Sequence, residues 1–163
     1  MLVVFIAHLP AGWLLGRALG ERAARRALLA GAVAPDLDLL WWWLVDHGTV
    51  HHHRYLTHLP AVWALVALAA ALTLRRRARR VALAMCAGVL LHIALDSVVG
   101  DVAWLWPWSS RLFSLVTVAP TGGHWVWSFV SHWSFGIEVA IVVVAGVWWA
   151  RDRRSDSPAT TST

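Results

Sequence analysis

The sequence predicts an all-α protein, a polytopic membrane helical bundle of about five spans, from its composition, its hydropathy and its tryptophan content. Apolar residues make up 59% of the 163 positions and charged residues 14%, against about 25% charged in a typical soluble domain. The mean hydropathy is +0.60, and 13 tryptophans are present. A soluble protein of this length could not bury so much apolar surface. The composition therefore excludes an ordinary soluble domain.

Five stretches are apolar enough to form spanning helices, each of which needs about 20 such residues. They cover residues 1–19, 27–45, 59–74, 81–99 and 125–150. The third is short, and the second contains Pro35, which favours a break at Ala34 and a new helix start. No basic residue precedes the first stretch and no small-residue cleavage motif follows it, so we expect a retained helix rather than a signal peptide.

Residues 1–150 are thus expected to form one membrane-embedded domain, and residues 151–163, rich in Ser, Thr and Asp, a disordered cytoplasmic tail. Twelve of the 14 arginines lie at the end of the first span or after the first, third and fifth spans. Because positive charge stays in the cytoplasm, the loops 46–58 and 100–124 are predicted to face outwards. Insertion alone accounts for these basic clusters, so no nucleic-acid partner is expected.

Acidic residues within apolar helices are the first sign of a functional site. Asp36, Asp38, Asp96 and Glu138 lie within or at the edges of the predicted spans. Each would cost about 2.5–3.5 kcal/mol at a helix centre if unpaired. A bound cation would convert such carboxylates from a penalty into ligands. For Glu138, pairing with a neighbouring helix is the simpler interpretation.

The predicted topology brings metal-capable residues from four separate segments into the outer half of the membrane. His92 and Asp96 are four residues apart and therefore share one helical face. Chance would scatter such residues over both halves of the membrane. The candidate ligands are His8, Asp36, Asp38, His53, His58, His92 and Asp96.

Each group also has a simpler interpretation. His92 and Asp96 could form an ordinary intrahelical pair, and His8 could be a hydrogen-bonded core histidine beside the small-residue stripe of Gly12 and Gly16. The two aspartates could cap a helix. The remaining histidines are assigned to the surface or the interface: His47, His51 and His52 to the surface, and His124 and His132 to the outer mouth or to interfacial hydrogen bonds.

In their order and spacing, several short motifs are similar to the YdjM-like family of predicted membrane-bound metal-dependent hydrolases, named after a LexA-binding inner-membrane protein. They are His8, Pro35-Asp36-Leu37-Asp38, His53-Arg54-Tyr55-Leu56-Thr57-His58, His92-Ile93-Ala94-Leu95-Asp96, Gly100 and Trp106-Pro107-Trp108-Ser109. The resemblance covers roughly residues 1–115. Tyr55 stands where the family usually has Gly. The resemblance implies an inner-membrane protein with a metal site and, less directly, hydrolase activity.

The leading functional hypothesis is a metal-dependent hydrolase that acts at the outer membrane face. Mixed His and Asp ligands suit zinc, with manganese or iron as alternatives. Seven candidates exceed the four ligands of one tetrahedral ion, so either two ions share the site or some residues only orient the ligands. The metal would lower the pKa of its water from 15.7 toward ~7. Asp36 or Asp38 could accept the proton, and Arg54 could hold a phosphoryl or carboxylate oxygen.

Because the predicted site opens at the level of the lipid headgroups, a phospholipid or a lipid-linked phosphoester is the expected substrate, and membrane lipid is the expected partner. A proton- or cation-coupled transporter is the first alternative, since intramembrane acids and histidines also form ion pathways. A non-catalytic, metal-stabilised membrane scaffold is the second. A protein that binds metal but catalyses no hydrolysis would favour the scaffold.

Overall fold

The computed structural model describes residues 6–119 and 125–155, and over these residues the chain is helical, with seven α-helices and no strand. The helices are α1 (His8–Gly16), α2 (Arg22–Gly31), α3 (Asp38–Leu44), α4 (Pro60–Thr73), α5 (Arg76–Asp96), α6 (Trp125–Val130) and α7 (Phe135–Ser155). Three short 3₁₀ turns join them, at Ala34–Leu37, His52–Arg54 and Leu56–His58. The predicted all-α class is confirmed for the described residues.

Helix α5 is the centre of the bundle, and α2 crosses it at backbone contact. Two glycines permit this approach. A Cβ on Gly31 would lie 2.2 Å from the carbonyl oxygen of Met85, and one on Gly88 would lie 2.1 Å from that of Leu28. Because a larger side chain at either position would collide with backbone, the crossing fixes the end of α2 against α5.

Helix α1 packs along α2 through the small-residue stripe. A Cβ on Gly12 would lie 2.7 Å from the Cβ of Ala32, so this glycine permits the close approach expected of it. At the far end of α1, the Arg17 guanidinium pairs with Asp152 at 3.1 Å and lies over the ring of Trp148. Helix α1 is therefore held by α2 on one side and by α7 on the other.

Two ion pairs gather the basic segments at one end of the bundle. Arg17 and Asp152 join the end of α1 to the end of α7, and Arg77 pairs with Glu21 at 3.2 Å, joining the start of α5 to the start of α2. His92 lies 16 residues beyond Arg76 on α5, which corresponds to about 24 Å along the helix. The arginine-rich end and the histidine-bearing end are thus opposite.

The predicted number of about five spans is not confirmed. By length and apolar composition, α5 is the described helix that could cross a membrane on its own, and α2 with the segment Ala34–Leu44 makes a second if this pair, bent by 51°, counts as one span. Helix α4 has 14 residues, and α1 has nine, with residues 1–5 lying outside the described part. Helix α7 has 21 residues but contains Glu138 and a charged end at residues 151–154.

The predicted break in the second span is confirmed, whereas the fifth span is divided in a way that was not predicted. The 3₁₀ turn Ala34–Leu37 separates α2 from α3, with Pro35 at its start. Residues 131–134 separate α6 from α7. Helix α7 then continues to Ser155 and so includes the first residues assigned to the tail. Residues 156–163 of that tail lie outside the described residues.

Candidate metal centre

At the carboxyl-terminal end of α5, histidines from three other segments meet the two polar residues at that end of the helix. His92 and Asp96 come from α5, and His8 is the first residue of α1. His53 and His58 come from the two 3₁₀ turns between α3 and α4. All five side chains are buried, with His58 and His92 at 0% exposure and Asp96 at 1%.

Asp96 lies at the centre of this cluster, and its carboxylate faces all four histidines. Its Oδ1 lies 3.2 Å from Nε2 of His8, and its Oδ2 lies 3.2 Å from Nε2 of His92. The same Oδ2 is 3.5 Å from Nε2 of His58 and 3.7 Å from Nε2 of His53. Ligand atoms bound at 2.0–2.1 Å in a tetrahedron are about 3.4 Å apart. The separations therefore match those of atoms that share one ion.

The other ring nitrogen of three histidines faces an oxygen acceptor. The pairs are His53 Nδ1 with the Asp101 carbonyl (3.2 Å), His58 Nδ1 with the Asp38 carboxylate (2.8 Å) and His92 Nδ1 with the Ala32 carbonyl (2.9 Å). These oxygens require a proton on Nδ1, which leaves the lone pair on Nε2. Hydrogen bonds of this kind orient metal-binding histidines in proteins generally.

Four atoms that point into the cluster are buried and have no hydrogen-bond partner within the described part of the chain. They are Nε2 of His53, Nε2 of His58, Nε2 of His92 and Oδ2 of Asp96. An unsatisfied buried polar group costs roughly 1–3 kcal/mol. A divalent cation would satisfy all four, because each offers a lone pair. The donor set and its burial therefore fit a metal ion.

Asp38 lies behind His58 rather than among the convergent atoms. Its Oδ2 accepts hydrogen bonds from Nδ1 of His58 and from the hydroxyl of Thr57. Nε1 of Trp63 donates to the Thr57 carbonyl at 2.9 Å, which anchors that turn to α4. Asp38, one of the predicted site residues, therefore fixes the orientation of the His58 imidazole.

Asp36 and Arg54 have different positions from the rest of the predicted set. Asp36 lies at the edge of the cluster, with Oδ1 3.5 Å from Nε2 of His92 and a side chain that is 34% exposed. Arg54 is exposed, and its side chain makes no hydrogen bond or ion pair to any described residue. The structure does not bring Arg54 to the cluster.

Three overlapping groups have ligand atoms that all lie within 4.8 Å of one another. The groups are His52, His53 and His58; His8, His92 and Asp96; and Asp36, His58 and His92. The assignment of His52 to the surface was wrong, because this side chain is only 6% exposed. A 3₁₀ turn buries His52 and His53 together, and a run of three histidines gives no periodicity that would reveal which ones face inwards.

The two buried loop histidines are uncharged at neutral pH. Burial lowers the pKa of His52 to about 3 and that of His53 to about 4. A neutral imidazole is the form that binds a metal ion. These side chains are therefore already in the protonation state that ligation needs.

Gly100 makes room for His53. A Cβ at this glycine would lie 2.4 Å from Cε1 of His53 and 2.9 Å from the carbonyl oxygen of Asp96. Tyr55, by contrast, occupies a position that needs no glycine, because its backbone is extended, with φ −67° and ψ 153°. Its hydroxyl donates to Asp46, away from the cluster.

Glu138 is buried but belongs to a different contact. Its carboxylate lies beside the backbone of Ile6 and Ala7, immediately before His8. Nδ1 of His132 pairs with the hydroxyl of Ser134 at 2.8 Å in the turn before α7, so His132 is outside the cluster. His47 and His51 are exposed as predicted, and His124 lies outside the described residues.

Comparison with known proteins gives one result. No curated protein and no solved structure matches the chain. The model of the family described as YdjM inner membrane protein matches residues 2–155. That match includes every residue of the cluster and nearly the whole sequence, so the chain belongs to the YdjM inner membrane protein family.

Proposed function

We propose that the protein is a membrane-bound metal-dependent hydrolase whose active site is the cluster around Asp96. The observation that carries this proposal is the meeting of three buried, unpaired Nε2 atoms with the unpaired Oδ2 of Asp96. Each imidazole is fixed by an oxygen at Nδ1. Preorganised ligands of this kind are typical of metal sites.

His53, His58, His92 and Asp96 would hold the metal, with His8 on the other oxygen of Asp96. A divalent ion bound there would supply a hydroxide nucleophile at neutral pH, because it lowers the pKa of water from 15.7 toward about 7. Zinc suits imidazole and carboxylate ligands, and manganese and iron are the alternatives.

Asp36 is the proposed proton acceptor. Its carboxylate is both close to His92, at 3.5 Å, and partly open to solvent, so it can take a proton from a water beside the ligands and release it outwards. Asp38 keeps the proton of His58 on Nδ1. Arg54, exposed on the 3₁₀ turn beside His53, would bind a headgroup phosphate from outside the cluster.

The proposed substrate is a phospholipid or a lipid-linked phosphoester at the outer face of the inner membrane. The arginine-rich segments are at the opposite end of the bundle from the cluster. If they stay in the cytoplasm in a multi-pass arrangement, the cluster lies at the outer boundary. At that depth in the membrane, lipid headgroups are the substrates nearest to the site.

Two observations speak against transport. Between Arg80 and His92, helix α5 carries no acidic or histidine side chain, so it offers no relay for ions across the apolar part of the bundle. Glu138 is buried beside Ala7 at the start of α1 rather than extending a polar path. Neither observation separates a hydrolase from a scaffold.

Metal analysis of the detergent-purified protein tests the centre. We expect one or two equivalents of zinc or manganese in the wild type and a loss of metal in Asp96→Asn and His58→Ala, because each removes an atom of the convergent set. His51→Ala is the matched control, since this histidine is exposed, and it should retain the wild-type content. A wild type that stays metal-free after reconstitution with either ion ends the proposal.

Turnover is tested separately. Phospholipids and a chromogenic phosphodiester are incubated with the reconstituted protein, with and without chelator. We expect hydrolysis that chelator abolishes, that added metal restores and that Asp36→Asn reduces by about 10²–10⁴-fold. A metal-loaded protein without turnover on any phosphoester would favour the scaffold.

A further inference from the structure

The fully buried ligands form two groups that have no member in common, and the partly exposed Asp36 lies beside both through His58 and His92. His52, His53 and His58 form one, and His8, His92 and Asp96 form the other. Within the first, the ring centroids are 4.0–5.3 Å apart. Within the second, the rings of His8 and His92 are 4.1 Å apart. Each group supplies three ligands, which is the number that a catalytic zinc site takes from protein.

Asp96 connects the two groups. Its Oδ1 faces His8 at 3.2 Å, and its Oδ2 lies 3.5 Å from His58 and 3.7 Å from His53. The ring of His58 is 5.3 Å from that of His92, so the groups are direct neighbours. A carboxylate in this position can bridge two ions, which lie about 3.5–4 Å apart in two-metal sites.

We propose that the site holds two divalent ions, one bound by His8 and His92 and the other by His52, His53 and His58, with Asp96 as the bridge. This inference rests on the proposed function, because it assumes that the cluster binds metal. It adds a ligand, His52, that is outside the motifs identified in the sequence.

The charge of the cluster supports two ions rather than one. Three carboxylates, those of Asp36, Asp38 and Asp96, lie in or against the cluster. One divalent ion leaves net negative charge in a largely buried site, where uncompensated charge is costly. Two divalent ions and one hydroxide balance the three carboxylates.

A two-ion site also narrows the substrate class. Paired ions about 3.5–4 Å apart stabilise both the attacking and the leaving oxygen of an in-line displacement at phosphorus. In such a displacement, water adds to phosphorus, the bond from phosphorus to the ester oxygen breaks, and the proton lost by the water ends on the leaving alcohol. The inference therefore favours phosphoesters over carboxylic esters.

Manganese loading of the detergent-purified full chain tests the arrangement, with Mn²⁺ alone as the probe. Metal content gives the number of bound ions, and electron paramagnetic resonance reports whether they are coupled. We expect two equivalents and an exchange-coupled spectrum for the wild type. His52→Leu should retain one equivalent with an uncoupled six-line spectrum, and the control His51→Leu should match the wild type.

His8→Leu provides a second variant on the other side of Asp96, and it too should retain a single, uncoupled ion. One equivalent in the wild type would overturn the two-ion arrangement and leave the proposed function standing, whereas no bound Mn²⁺ or Zn²⁺ would end both. Two coupled ions in His52→Leu would overturn the assignment of His52. Two coupled ions in His8→Leu would overturn that of His8.

Discussion

At the scale of single residues, the site depends on which nitrogen of each imidazole carries the proton. Oxygens of Ala32, Asp38 and Asp101 hold that proton on Nδ1 of three histidines, and two of these oxygens are backbone carbonyls. A sequence pattern can indicate the histidines, but a carbonyl partner has no side-chain signature. The tautomers are therefore visible only once the chain is folded.

Gly100 gives a prediction at the same scale, because a methyl group on its Cα would collide with His53. In Gly100→Ala, the new Cβ would lie 2.4 Å from Cε1 of His53 and 2.9 Å from the Asp96 carbonyl. The ring must move out of the cluster. We expect metal affinity to fall roughly tenfold or more, measured by competition with a chelator.

Gly136→Ala is the matched control, because a Cβ at that position has no neighbour within 4 Å. It should bind metal as the wild type does. Wild-type affinity in Gly100→Ala would mean that His53 is not a ligand, and the cluster would then depend on the remaining histidines.

The sequence predicted most of the cluster because spacing and order carry that information. His92 and Asp96 share a face of α5 as expected from their separation of four residues. His52 was missed and Arg54 lies outside the cluster, because in a 3₁₀ turn consecutive residues do not alternate between inside and outside. The pattern of a helix can be extrapolated from sequence, whereas that of a short turn cannot.

At the scale of elements, boundaries set by proline were predictable and those set by side-chain hydrogen bonds were not. Pro35 marks the break between α2 and α3. The break between α6 and α7 contains neither proline nor glycine. There, Nδ1 of His132 engages both the hydroxyl and the backbone N–H of Ser134, which competes with continued helix.

Glu138 connects two elements and gives the prediction for this scale. Its carboxylate is buried beside Ile6 and Ala7 at the start of α1, and His8 follows directly. In Glu138→Ala, the start of α1 loses this buried neighbour, which costs about 0.5–3 kcal/mol, and His8 is less firmly held. We expect a lower midpoint of thermal unfolding in detergent and weaker metal binding.

Glu138→Gln keeps an oxygen acceptor of nearly the same shape and should recover most of both properties. The Co²⁺ absorption spectrum separates positioning from general destabilisation, because its bands report the ligand geometry. Equal spectra for Glu138→Ala and the wild type would show that Glu138 does not position His8.

At the scale of the whole molecule, the bundle has one basic end and one end that carries the histidine cluster. Exposed leucines line α4, including Leu65, Leu68 and Leu72, and an apolar exterior of this kind suits contact with lipid. The sequence predicted this polarity from arginine counts alone. The number of spans was harder to predict, since hydropathy cannot tell a continuous helix from two short ones.

The orientation of the protein in the membrane determines which substrates can reach the cluster. Labelling of single cysteines measures this orientation. In a Cys86→Ser background, His47→Cys reports on the loop beside the cluster and Arg77→Cys on the basic end. Positive charge is retained in the cytoplasm, so a membrane-impermeant maleimide should label His47→Cys in intact spheroplasts and Arg77→Cys only after permeabilisation. Both side chains are exposed, so denatured samples should label equally. The reverse pattern would put the cluster at the cytoplasmic face, and its substrate would then have to come from the inner leaflet or the cytosol.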